Sequence, residues 1–208
     1  MENETCQISR KEQERLARII DIQDIAARLF SEKGFHEVRV DDIAEEVGLS
    51  KGTIYLYFEN KEKLFYSIIT DRATRLMNQL LDTVEQKISF KERLHGFVRT
   101  YLDFLNENSA FFRIIHSEKA RMSMESHHEL HEWAEKAYIA SLAMQEAIVR
   151  AGKNEGVVRN VNEKDAARML AGMLDATATQ RIIMGDSAPV EDDVRTIIDL
   201  FLNGVKAH

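Results

Sequence analysis

Proline, cysteine and positive charge are all scarce in this chain, and each shortage excludes something. A single proline, Pro189, stands among 208 residues. Proline punctuates loop-rich and β-rich folds, so its near absence leaves the chain free to form long uninterrupted helices. One cysteine, Cys6, excludes an internal disulfide and fits a reducing compartment. So close to the chain end it reads as a bystander in a frayed tail rather than a redox sensor. No run of about 18 apolar residues is present, which excludes a membrane-spanning helix. Met1–Arg10 is polar and acidic and lacks the apolar stretch of a secretory signal, so the expected location is the cytoplasm. There is no nucleophile elbow, and Gly152-Lys153-Asn154-Glu155-Gly156 lacks the spacing of a phosphate-binding loop. No enzyme and no cofactor are expected.

Lys and Arg number 28 against 35 Asp and Glu, a net charge of −7. Residues 1–70 alone hold 10 against 14, or −4. A nucleic-acid binder usually carries a basic footprint. Any contact with DNA must therefore come from where a few cations are placed.

What the chain does have is helical periodicity. With 44% apolar and 30% charged residues the balance is that of an ordinary globular protein. Residues 10–33 repeat Leu16, Ile19, Ile20, Ile22, Ala26, Leu29 and Phe30 at spacings of mainly three and four, and Gly34 supplies a left-handed stop. Residues 41–47 form a short helix with acids outward and Ile43, Ala44 and Val47 inward, and Asp42 with Glu45 has the spacing of a capping box. Six residues at Phe35–Val40 alternate like a strand but fit a turn between helices. Gly48 ends the short helix, Ser50 caps a third at 51–57, and Asn60 caps a fourth from Lys61. Further helices are expected at 61–88, 90–106, 109–118, 126–151, 163–184 and 190–206, the last opened by Pro189 and three acids.

Two short helices around Gly48-Leu49-Ser50 make a helix-turn-helix over residues 41–58. Its second helix has the chemistry of a groove reader. Lys51 can meet a phosphate or a guanine edge, Gly52 keeps no side chain between backbone and DNA, and Thr53 offers a hydroxyl and a methyl. Tyr55 lies near the Lys51 face, whereas Tyr57 points about 200° away from Tyr55 and reaches the groove edge. Ile54 and Phe58 pack inward. Lys61, at a helix start with free N–H groups, makes a candidate phosphate clamp.

The series Ala26-Ala27-Arg28-Leu29-Phe30, Gly34-Phe35, Asp42-Ile43-Ala44, Val47-Gly48-Leu49-Ser50-Lys51-Gly52-Thr53-Ile54-Tyr55-Leu56-Tyr57-Phe58 and Asn60-Lys61-Glu62 resembles the DNA-binding domain of the TetR family continuously over about residues 10–66. The resemblance implies an all-α protein with a three-helix DNA-binding domain at 1–66 and a helical ligand-binding and dimerisation domain at 67–208. It implies contact with double-stranded operator DNA by Ser50, Lys51, Gly52, Thr53, Tyr55 and Tyr57, with Lys61 on phosphate. It also implies repression by a homodimer on a palindromic operator. Two positions depart from the family's pattern. Arg39 stands where Ser or Thr is usual, exchanging a cap for a cation that can reach phosphate, and Asp41 stands where a basic residue is frequent.

Beyond residue 70 the resemblance is architectural. Val190, Val194, Ile197, Phe201 and Val205 form one stripe, widened by Ile198 and Leu202, which suits a helix packed both on its own subunit and on a partner. The small residues of 163–184 permit close approach, so 163–184 and 190–206 are the expected dimer helices. Apolar side chains at Phe104, Phe112, Trp133, Tyr138 and Met173, with polar groups at Arg113, His116, Thr177 and Arg181, are candidate contacts for a small, largely apolar effector. The alternative for each is plain core or helix pairing. His127, His128 and His131 invite a metal, but the segment lacks the spacer of a zinc-binding helix, and a solvated helix start is the expectation. The rival class to a regulator is a helical interaction protein that has lost DNA binding, and it would enrich nothing from genomic fragments.

Overall fold

Hydrogen-bonded helix accounts for nearly all of the backbone in the computed structural model, which describes residues 9–109, 112, 124–185 and 188–205. Among these residues there are eight helices and no strand: α1 (Arg10–Lys33), α2 (Val40–Val47), α3 (Lys51–Tyr57), α4 (Lys61–Glu85), α5 (Phe90–Glu107), α6 (Met124–Asn154), α7 (Glu163–Met184) and α8 (Val190–Val205). The expected helix at 109–118 falls largely outside the described residues, as do Cys6, Arg113 and His116. Phe35–Val40 is a turn running into α2.

The chain divides into two compact units, Met1–Ile69 and Thr70–His208, the division falling within α4. In the first unit, α1 contributes Ile22, Ala26, Leu29 and Phe30 to the core, α2 Ile43 and Ala44, α3 Ile54, and α4 Leu64, Phe65 and Ile68. Phe30, Phe35 and Phe65 form an aromatic cluster with centroids 5.0–5.5 Å apart, the Phe30–Phe65 pair edge to face, a geometry that adds to simple burial. Gln23, buried on α1, donates to Ser67 Oγ at 3.0 Å.

Capping decides where these helices stop. Gly48 adopts φ 74° and ψ 34°, the left-handed conformation that only glycine takes without strain. Gly34 has φ 86° but ψ 154°, so the expected left-handed stop is instead a conformation almost confined to glycine. The acid of the α2 cap also differs from expectation. Asp42 pairs back to the N–H of Arg39 at 2.8 Å, because Arg39 is the N-cap and Asp42 is its third helical residue.

In the second unit α5 is central and packs on α6, α7 and α8. Its Phe90, Leu94, Phe97, Val98 and Leu102 join Leu76 and Leu80 of α4, Ile148 and Val149 of α6, Leu170 and Leu174 of α7, and Val194, Ile197 and Phe201 of α8. A Ser89–Glu92 capping box starts α5, and the extended Ser89 it requires ends α4 three residues before the expected 88. Helix α6 runs through Gly152 to Asn154, because the Gly152 carbonyl accepts from both Val157 and Val158 beyond the helix end.

Candidate functional site

In the first unit the candidate recognition face is built by α3 and the start of α2. Ser50 Oγ accepts from Thr53 N at 3.1 Å, starting α3 one residue after the loop. Ile54 and Phe58 are buried, so the rest of α3 is held outward. Lys51, Gly52, Tyr55 and Leu56 are exposed, and Thr53 and Tyr57 are half-buried. A Cβ placed on Gly52 would meet only Ser50 Oγ, at 3.7 Å. The fold itself does not demand glycine there, which leaves close approach from outside as a reason for it. Leu56, 81% exposed, is the feature that sequence reasoning passed over. Periodicity assigned it to neither face; its solvent exposure beside Tyr55 is what sets it apart.

Arg39, Lys51, Tyr55 and Lys61 line one shallow concavity on this face with Asp41. Three cations against one carboxylate make a local positive patch in a segment of net −4, which resolves the conflict between an acidic domain and an anionic partner. Asp41 holds Lys51: Oδ2 accepts from Nζ at 2.7 Å, and both side chains remain about half exposed. The hydrogen bond first and the charge second raise the pKa of Lys51 above the usual ammonium value. Asp41 thus offsets part of the charge that Lys51 can bring to a phosphate or base.

Lys61 does something the sequence did not indicate. Its ammonium donates to the carbonyls of Phe35 at 2.8 Å and Val38 at 2.9 Å, and lies 4.4 Å from the centroid of the Phe35 ring. The residue expected as a phosphate clamp is here the tie that closes the turn between α1 and α2. Asn60 Oδ1 caps α4 by accepting from Lys63 N at 2.8 Å. Replacing Lys61 by alanine leaves two turn carbonyls without this donor, which costs about 1–3 kcal/mol. Urea denaturation of Lys61→Ala is expected to show that loss, whereas a change below about 0.5 kcal/mol would mark the side chain as free to serve DNA alone.

The second unit holds a cavity of about 220 Å³ between α4, α5, α6 and α7. Leu76, Leu80 and Leu174 line it, and Tyr101, Trp133 and Tyr138 bring aromatic surface. Of the expected ligand contacts, Trp133 and Tyr138 line it. Phe104 is buried in the core with its ring 6.4 Å from that of Phe112, and Met173 packs on the same core. Thr177 is half-buried on α7. Arg181 is committed elsewhere, a correction to its reading as a ligand contact. Its side chain is 4% exposed, with Nε bonded to Asp193 of α8 and Nη2 donating to the Ala188 carbonyl at 2.7 Å. A guanidinium so enclosed is a structural tie between α7 and the start of α8.

Tyr101 Oη donates to Asp175 Oδ1 at 3.3 Å across the cavity's polar end. Burial and the neighbouring carboxylate push the tyrosine pKa well up, and desolvation raises that of Asp175 against the opposing hydrogen bond. Among the described residues no group of three His, Cys, Asp or Glu side chains is gathered as a metal site would need.

The family model described as bacterial regulatory proteins, tetR family, matches residues 22–68, and that described as tetracyclin repressor-like, C-terminal domain, matches residues 87–179. The chain is similar to the fatty acid metabolism regulator protein of Bacillus subtilis (strain 168), 23% identical over 189 residues that cover 90% of this chain and 95% of that protein. Among solved structures it is similar to the TetR family transcriptional regulator PfmR from Thermus thermophilus, with a TM-score of 0.68, 27% identity, and coverage of 89% of this chain and 99% of that one. It is also similar in fold to the transcriptional regulator FadR from Bacillus subtilis in complex with stearoyl-CoA, with a TM-score of 0.72, 23% identity, and coverage of 89% and 98%.

Proposed function

We propose that this chain, which belongs to the TetR family of bacterial regulatory proteins and is thus a DNA-binding transcriptional regulator and not an enzyme, acts as a homodimeric repressor on a palindromic operator and is released from it by a small, largely apolar ligand. In this reading residues 1–66 bind DNA, and residues 67–208 bind the ligand and dimerise. The observation that carries it is the outward face of α3. Lys51, Gly52, Tyr55 and Leu56 stand exposed on a helix anchored from behind by Ile54 and Phe58. Arg39, Ser50, Thr53 and Tyr57 surround them as further contacts to base edges or phosphate.

The cavity in the second unit supports the ligand, because it is apolar, aromatic on one side and polar at one end. The similarity to a regulator solved with stearoyl-CoA supports an apolar chain as part of that ligand. For the dimer, α7 and α8 supply the candidate surface. Met169, Gly172 and Ala176 on α7 and Leu200 on α8 are exposed, while Val194, Ile197 and Phe201 of the sequence stripe face their own core. Such a regulator works on the chromosome, in the cytoplasm, and no helix of the described residues is long and apolar enough to cross a membrane.

The test is selection of genomic fragments by the purified protein, followed by affinity measurements on the enriched site. Tyr55→Ala is expected to weaken that site by about 1–3 kcal/mol and to relax choice at one position. Asp41→Asn removes an anion from the DNA face and frees Lys51, so it should tighten binding to random DNA roughly three- to tenfold and steepen the salt dependence. No enrichment of any fragment would leave the chain as a helical interaction protein. Unchanged random-DNA affinity in Asp41→Asn would show that the ion pair imposes no cost on DNA contact.

A further inference from the structure

The cavity that the proposed function assigns to an effector has a polar end made of acceptors. Asp175 brings a carboxylate, and its neutral neighbour Tyr101 supplies a hydroxyl proton at 3.3 Å. Gln145, 2% exposed and lining the same cavity, has its Oε1 buried without a hydrogen-bond partner. Its Nε2 donates toward the Ser141 carbonyl at 3.4 Å and lies 3.3 Å from Ser141 Oγ, which leaves Oε1 as the unpaired atom. Among the described residues no Lys, Arg or His lines the cavity, although Tyr101, Trp133 and Tyr138 all do.

A buried acceptor left unmatched costs free energy until a donor reaches it. The Asp175 carboxylate is solvent-exposed at the cavity's rim, with one neutral donor beside it and no counter-charge among the described lining residues. Aromatic faces attract cations. We infer that the effector carries a cationic hydrogen-bond donor, an ammonium group on an apolar body, with the ammonium between Asp175 and the Gln145 carbonyl and the apolar part on Leu76, Leu80 and Trp133. A carboxylate or phosphate placed at this end would face Asp175 with no cation among the described lining residues to offset it. An acyl chain fits the apolar part of the cavity, but an anionic head group has no partner among the described residues that line it.

This inference rests on the cavity being the effector site, and the experiment separates the two. Trp133 is the one tryptophan of the chain and lines the cavity, so its emission reports occupancy. Decylamine, decanol and decanoate share one apolar chain and differ in head group; each is titrated into the full-length protein below its micelle concentration. Decylamine is expected to bind at least tenfold tighter than decanol, and decanoate weaker than decanol. In Asp175→Asn the amine's advantage over decanol should fall below about threefold. Gln145→Leu, which keeps the carboxylate, should lose part of the advantage. Decanol binding with no preference for the amine, or decanoate binding tightest, would overturn the cationic assignment and leave the cavity as an apolar site. A chain that binds none of the three would overturn the cavity as the effector site and the inference with it. The wild-type comparison alone decides between these results if either variant fails to fold.

Discussion

An operator lengthened by five base pairs at its centre is expected to lose at least 100-fold in affinity for this protein. Helix α3 has seven residues, about 10 Å of helix, and so reads roughly three base pairs. One such helix cannot supply the 10³–10⁷ preference over random DNA typical of specific sites. Two copies related by a dyad read half-sites about one helical turn, ~34–36 Å, apart on one side of the duplex. Five added base pairs turn one half-site to the opposite side, so only one subunit stays engaged. The proposed dimer supplies the geometry, through the exposed Met169, Gly172, Ala176 and Leu200. A mobility-shift titration of the two operators is the measurement. Equal affinities would show either a monomer or a mobile tether between reading heads, and the dimer proposal would fail.

Arg181→Ala should destabilise the protein by about 3 kcal/mol, a more than 100-fold shift in the folding equilibrium. Removing one member of an enclosed ion pair typically costs about 3–5 kcal/mol, since the other charge stays behind. Here Asp193 keeps 28% exposure of its side chain, so water recovers part of that loss. The Ala188 carbonyl loses its donor as well. Chemical denaturation followed by helical circular dichroism checks the value. The double variant Arg181→Met, Asp193→Leu should recover most of the stability, because two apolar side chains leave no orphaned charge. A loss below about 1 kcal/mol in Arg181→Ala would return the residue to the ligand reading.

Local physics made most of the fold legible. Apolar spacing of three and four placed Ile22, Ala26 and Phe30 of α1, and Val194, Ile197 and Phe201 of α8, against a core, whereas Leu16 and Ile20 of the same α1 pattern stand exposed. Caps were equally readable: Ser50 starts α3 and Asn60 starts α4 through their own side chains. Where reading failed, two local options competed. Asp42 could serve Glu45's turn or Arg39's, and the chain chose the latter because Arg39 enters extended. Gly152 read as a break, yet its carbonyl is satisfied from beyond the helix end, so α6 runs through it.

The sequence by itself determined that this is an all-helical chain with α3 as its outward reading helix. Those properties follow from interactions within one or two turns, where residue order is distance. Tertiary structure alone decided what the long cations do. Lys61 meets carbonyls 23 and 26 residues away, Arg181 meets Asp193 across a helix boundary, and Lys51 is held by Asp41 of the preceding helix. It also decided that Asp175, Tyr101 and Gln145, from three helices, line one cavity with no cation among its described lining. A lysine or arginine carries its charge on several rotatable bonds, so periodicity gives the direction of its Cβ and not the partner of its head group. That partner exists only once separate helices have closed on one another.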